Sequence, residues 1–291
     1  MTMAWLKSRS RQARIFMMLC GVALVAMMLF VFRGWFFGPR WPPSPQALLN
    51  HKQFSWRTHE TADFWIHYEA GSFAERDLAL LTKLHAVAMP GLLELIGESA
   101  YFRKIHIFAV ESRARMKALI GLEGNGKAFP EHDTMLCVFS GQTKAGGAHE
   151  LMHMISNKRW GTVPFKDRIW LDEGLACYAE DKCYIQHKPW RRDMHIQSKR
   201  LSASRRLVPL EQLTGGFTNW TALSTEVSYP QAGSFVRFLY ERHGREKLKA
   251  LWQAPRPEFH RIYGKTLAEL EAEWLAVLER TDDNESKPAG E

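Results

Sequence analysis

An α+β fold is predicted for this chain, with a small mixed sheet, two site-bearing helices beside it and a mainly helical lobe after them. Three observations carry the prediction. Stretches with strand character, F-S-W-R-T-H-E-T-A-D-F-W-I-H-Y (54–68), K-I-H-I-F-A-V (104–110) and T-M-L-C-V-F-S (134–140), alternate with helical patterns in the first half. From Pro209 onward the chain reads as mainly helical, punctuated by capping signals. Ile15–Phe32 is 18 residues long without a charge and adds an N-terminal transmembrane helix.

That apolar run would span about 27 Å as a helix, close to the thickness of a bilayer core. Lys7, Arg9, Arg11 and Arg14 precede it, and Arg33 and Arg40 follow. The positive-inside rule then keeps residues 1–14 as a cytoplasmic basic tail and makes 15–32 a signal anchor. Trp35, Phe36, Phe37 and Trp41 suit an interfacial belt on the far side. No small-x-small cleavage site follows the run, where Arg33-Gly34-Trp35-Phe36 stands instead. The expected protein is therefore single-pass, with everything past a 33–50 linker extracytoplasmic, or periplasmic in a Gram-negative cell. Of the net charge of +8, six basic residues fall in 1–40 without an acid, which leaves the body 33 basic against 31 acidic residues. A near-neutral body gives no reason to expect nucleic acid as a partner.

The body follows in order. Pro42, Pro43 and Pro45 stiffen the linker. Ser72-Phe-Ala-Glu75 is a capping box expected to open a long helix, which Met89-Pro90-Gly91 breaks or kinks. Arg113–Ile120 reads as a short helix stopped by Gly121, and 121–130 as a loop. Tyr229-Pro230 is expected to begin a helix ending at His243-Gly244. Thr266-Leu-Ala-Glu269 caps the last helix, which runs to about Arg280 ahead of a frayed 282–291 tail. Lys182–Arg206 holds eight basic residues, read as a solvated face or a contact for anionic lipid or acidic substrate. Outside the membrane run, Cys137, Cys177 and Cys183 are an odd number, so at most one bridge forms within the body. Cys177–Cys183 could close only where the helix ends near Asp181, and Cys137 with either would tie strand to helix.

Chemistry concentrates in A-H-E-L-M-H-M, a complete H-E-x-x-H at His149, Glu150 and His153. Positions i and i+4 share a helix face, so both imidazoles can grip one divalent ion. Glu150 sits about 100° round the helix, placed to take a proton from a metal-bound water without occupying a coordination site. A catalytic zinc wants a third protein ligand, and Glu173, Asp172, Asp181, His187 and His195 are the candidates. Glu173 is favoured because W-L-D-E-G-L-A-C-Y-A-E has helical spacing, with Glu173 and Glu180 two turns apart on one stripe. Glu180 would then orient a ligand imidazole through its other nitrogen. The strand at 134–140, beside this helix, is where an extended peptide would dock by edge pairing.

H-E-x-x-H followed by W-L-x-E-G-x-A resembles the gluzincin peptidases, the group of thermolysin and aminopeptidase-N type enzymes, and more closely the peptidase-MA-like proteins. Y-P-Q-A-G-S-F-V-R-F-L-Y-E-R-H-G (229–244) and G-K-T-L-A-E-L-E-A-E-W (264–274) are similar to later helices of that family. The resemblance implies one Zn²⁺ held by His149, His153 and Glu173, Glu150 as general base, and a peptidase domain over 51–281. Within it, 51–143 would be a sheet lobe, 144–183 the zinc helices and 184–281 a helical lobe, with the cleft between the lobes. Related enzymes use a Tyr of the helical lobe to donate to the oxyanion, which points to Tyr229, with His132, His187 and His195 as weaker alternatives. The His153-to-Glu173 spacing is one residue longer than in aminopeptidases, and no G-x-M-E-N stretch precedes His149. Exopeptidase specificity is therefore not implied. The expected function is a membrane-anchored zinc metallopeptidase acting on peptides or proteins. The alternatives are a catalytically silent zinc-binding scaffold or envelope-assembly factor, and a peptide-binding module whose metal motif is coincidental.

Overall fold

The strand patterns of the body condense into one five-stranded sheet. Its strands are β1 (Trp56–Glu60), β2 (Phe64–Glu69), β3 (Ile105–Val110), β4 (Gly126–Phe129) and β5 (Thr134–Val138), in the order β1-β2-β3-β5-β4. β2, β3 and β5 run parallel, while β1 and β4 are antiparallel edges, so the sheet is mixed as expected. The computed structural model describes residues 42–144, 147–163, 165–183 and 193–282. Ser44–Glu291 forms one compact unit and Met1–Pro43 another, and the fold described is that of the former. The predicted basic tail, membrane anchor and the first half of the linker lie outside the described residues, as do His187 and 283–291.

β4 corrects the reading of 121–130 as a loop. G-K-A-F is too short to show a period, and it becomes a strand because buried β5 offers it a ladder from Gly126↔Cys137 to Phe129↔Thr134. The same pairing puts β5 inside the sheet, so the edge beside the H-E-x-x-H helix is β4 and not residues 134–140.

Strand alternation divides the side chains between two faces. On one, Phe108, Val110, Leu136 and Val138 pack with Leu48 of α1 (Pro45–Leu49), Phe54 and Met116 of α4 (Arg113–Ile120). On the other, Ile66, Ile107, Met135 and Cys137 join a single core that continues into the helices. That second face carries α3 (Leu78–Ile96), α5 (Gly147–Arg159) and α6 (Phe165–Cys183). The chain then runs through α7 (Met194–Ala203), α8 (Leu210–Thr214), α9 (Phe217–Ala222), α10 (Thr225–His243), α11 (Arg245–Gln253), α12 (Phe259–Tyr263) and α13 (Leu267–Arg280).

Caps set most boundaries where the sequence places them. Ser112 accepts from the Arg115 N–H to start α4, and Gly121 ends it in the left-handed region at φ 76°. Thr266 and Glu269 form the reciprocal capping box of α13. Three boundaries differ. Ser72 caps only α2 (Phe73–Arg76), because Asp77 leaves helical geometry (φ −122°, ψ 39°) before α3 begins. α3 runs unbroken through Pro90, where burial of Met89, Leu92 and Leu93 outweighs one missing N–H bond. α10 begins at Thr225, so Pro230 lies inside it instead of at its first position. By length and composition α3 would suffice to cross a membrane, yet its Leu81, Leu92 and Ile96 are spent on the core.

Three imidazoles outside the H-E-x-x-H stretch are buried neutral. Burial pushes His67 down to about 3, helped by neighbouring His106, and His195 down to about 4, helped by Arg237. Burial also takes His85 to about 4 against the pull of the Leu81 carbonyl it bonds. Their unfolded value is near 6.5, so between about pH 6.5 and 4 the unfolded chain binds protons that the native chain does not, and stability falls with pH. The expected loss by pH 5 is on the order of 1–2 kcal/mol per buried imidazole, above the range where carboxylates titrate. Urea unfolding at pH 7 and pH 5 measures it, and equal stability at both would contradict the neutral burial.

Candidate metal centre

The H-E-x-x-H spacing does on α5 what helical geometry demands. His149 and His153, one turn apart, bring their rings to 4.9 Å and their Nε2 atoms to 3.3 Å. α6 crosses beside them and delivers Glu173, whose Oε2 lies 3.3 Å from His149 Nε2 and 3.5 Å from His153 Nε2. Three ligand-type atoms thus form a nearly equilateral triangle. Metal–ligand bonds of about 2.0–2.1 Å in a tetrahedron place ligand atoms about 3.3–3.4 Å apart, so the triangle has the size of one tetrahedral face. The donor set, two imidazole nitrogens and one carboxylate oxygen, suits zinc. Side-chain exposures of 18 % for His149, 11 % for His153 and 15 % for Glu173 keep the cluster enclosed but reachable by solvent.

Neighbouring groups set the imidazole orientations. His153 Nδ1 donates to Asp172 Oδ1 at 2.9 Å, which turns Nε2 toward Glu173. Asn157 Nδ2 also donates to Asp172 Oδ1, at 3.2 Å, and to the His153 carbonyl at 3.0 Å. Asp172 is therefore no third ligand, and it holds the opposite side of a ligand ring. Glu180 Oε2 stands 3.6 Å from His149 Nδ1, an ion-pair distance beyond direct hydrogen bonding. Burial pushes the His149 imidazole down, but Cys177, Glu173 and Glu180 together outweigh it and raise its pKa well above the ordinary value. For His153, burial is likewise overcome, by Asp172 and Glu173, and its pKa rises to about 10. Burial would raise Glu173, yet the two imidazoles hold it well below the usual carboxylate range. The cluster concentrates negative charge on two basic nitrogens, an environment that favours a cation.

Glu150 stays outside the triangle, half-buried, with its carboxyl pushed up by burial and pulled back by His149 and His153. Its carboxylate packs against Gly126 at the start of β4.

Tyr229 reaches the cluster from α10. Its ring lies parallel to His149 at 6.4 Å and against Trp220 of α9 at 5.5 Å. Among the described residues its hydroxyl has no hydrogen-bond partner. The approach depends on a close crossing of α6 and α10. A Cβ on Gly174 would lie 2.7 Å from the Ala232 carbonyl oxygen, and one on Gly233 would lie 2.8 Å from Cys177 Cβ. Two glycines, one on each helix, let the backbones meet where Glu173 and Tyr229 must face one cluster.

The remaining candidates lie elsewhere. Asp181 pairs with Arg237 and accepts from the Met194 N–H. His195 Nδ1 is 2.6 Å from Ser234 Oγ in the helical core. His132 lines a separate surface cavity of about 360 Å³ with Trp65, Arg103, Lys104, His106 and Asp133. Cys137, Cys177 and Cys183 are all free and buried. Sequence reasoning missed the orienting role of Asp172, the contact of Gly126 with Glu150, and the position of Cys177 beside His149. A signal existed for Asp172 alone, an acid adjacent to the third ligand on the same helix.

Residues 107–280 match the Peptidase MA superfamily. Among solved structures, the chain is similar to yeast LTA4 hydrolase in complex with bestatin, at 13% identity and TM-score 0.45, covering 81% of this chain and 40% of that one. It is also similar to an aminopeptidase N family protein from Idiomarina loihiensis, at 12% identity and TM-score 0.41, covering 79% of this chain and 46% of that one. The chain thus spans less than half the length of these relatives. No curated protein matches it.

Proposed function

The chain belongs to the Peptidase MA superfamily, and from that premise we propose that it is a membrane-anchored, zinc-dependent peptidase. The carrying observation is the triangle of His149 Nε2, His153 Nε2 and Glu173 Oε2, with sides of 3.3, 3.3 and 3.5 Å. Zinc bound there would supply a Lewis acid and an activated water at neutral pH.

The rest of the chemistry belongs to the protein's own side chains. Glu150 accepts the proton of the attacking water and passes it to the leaving amine, the role of a base held beside but not within the ligand set. Asp172 keeps the His153 imidazole turned with Nε2 inward, and Glu180 places a carboxylate on the Nδ1 side of His149. The Tyr229 hydroxyl donates to the oxyanion as negative charge develops on the scissile carbonyl. The outer edge of β4 offers backbone groups to an extended peptide, which would run past Glu150. The 15–32 anchor would hold this domain on the extracytoplasmic side of the membrane.

Purified full-length chain, analysed for metal and incubated with a peptide library with and without chelator, tests the reading. One zinc per chain is expected, with cleavage that chelator abolishes and added zinc restores. Absence of stoichiometric metal, or cleavage indifferent to chelator, would refute it.

A further inference from the structure

Gly126 begins β4 with a backbone conformation outside the left-handed region, so neither a turn nor a positive φ calls for glycine there. Glycine weakens a strand through its extra conformational freedom and its lack of a side chain to pack. A reason for it lies in the space that a side chain would take. A Cβ at this position would fall 2.7 Å from both Cγ and Cδ of Glu150 and closer still to its Oε1. The three atoms nearest to that missing Cβ all belong to Glu150. The ladder partner of Gly126 is Cys137, buried on β5, whose thiol is pushed up by burial and then by the Glu150 carboxylate. Glu150 therefore rests over the β4–β5 ladder in a notch that glycine leaves open.

We propose that Gly126 is a positioning residue, which by lacking a side chain fixes the Glu150 carboxylate beside the His149–His153–Glu173 cluster. The proposal rests on the reading of Glu150 as the general base. Any side chain at 126 would turn Glu150 to another rotamer, because the flexible acid yields before the paired backbone does. Gly126 is outside the ligand set of His149, His153 and Glu173, so the metal would remain while the base moved.

Four full-length chains test this: native, Gly126→Ala, Glu150→Ala and the double variant. Gly126→Ala is expected to keep one zinc and to lower kcat at least tenfold while KM stays within about twofold. An unchanged kcat, or a loss confined to KM, would overturn the proposal, since the latter would mean a blocked peptide path along β4. Melting temperature gives a second measure that needs no activity. In the Glu150→Ala background Gly126→Ala should raise it, as alanine does in place of strand glycine. With Glu150 present that gain should vanish or reverse. Coupled melting shifts in a chain that cleaves no peptide would overturn the peptidase reading on which the proposal rests. Equal shifts in a chain that does cleave would overturn the notch alone.

Discussion

Glu150→Gln is expected to lower kcat by about 10²–10⁴-fold, the usual worth of a positioned general base, while the chain keeps its full complement of zinc. The substitution conserves shape, so the amide still fits against Gly126. It removes only the capacity to accept a proton. Metal retention follows because Glu150 is outside the ligand triangle of His149, His153 and Glu173. Stability should hold or rise, since a carboxyl already pushed up by burial becomes a neutral amide with less to lose on desolvation. Metal analysis, melting temperature and cleavage of one defined peptide, measured on the same preparation, decide the matter. A variant that loses zinc would make Glu150 a ligand, and one that keeps full activity would remove it from the mechanism.

The contrast between Glu150 and Asp172 explains which parts of the centre a sequence can reveal. His149, Glu150 and His153 sit within one helical turn, where a 3.6-residue period alone dictates which side chains share a face. Glu173 was legible as well, because it shares a helical stripe with Glu180 and the gluzincin resemblance implies an acid there. Asp172 is one residue away and was weighed as a ligand. Its actual partner, His153 Nδ1, lies across the gap between two helices, and only their crossing angle settles which nitrogen it meets. The sheet behaves alike. β2, β3 and β5 declared themselves through aromatic, alternating and apolar patterns respectively, whereas β4 is four residues long and starts with glycine. Its strand state comes from β5, and so does the free edge beside Glu150. Pro90 was read as a break or kink and Pro230 as a helix start from local rules, and buried neighbours on α3 and α10 overrode both.

Gly174→Ala should destabilise the fold and weaken zinc binding together, although helix propensity predicts the opposite sign for stability. Alanine in place of glycine within a helix gains about 1 kcal/mol. Against that gain stands the crossing of α6 and α10, where the new methyl would meet the Ala232 carbonyl oxygen and Val236 Cγ2, each at 2.7 Å. Val236 can rotate, but the Ala232 oxygen and its carbon at 3.0 Å are backbone, so a whole helix must move. Overpacking of this kind costs about 1–3 kcal/mol, which exceeds the propensity gain over most of its range. For a domain of this size each kcal/mol lowers Tm by roughly 2–4 °C. The same displacement acts on Glu173, the adjacent residue, and on Tyr229, which α10 carries. Ligand geometry tolerates only about 0.5 Å, so zinc affinity should fall roughly tenfold or more. Competition with a chelator of known affinity reads the second effect independently of the melting curve. A Gly174→Ala chain that melts higher and binds zinc unchanged would show that the two helices have slack at their crossing, and that Glu173 is held in place by something other than this contact.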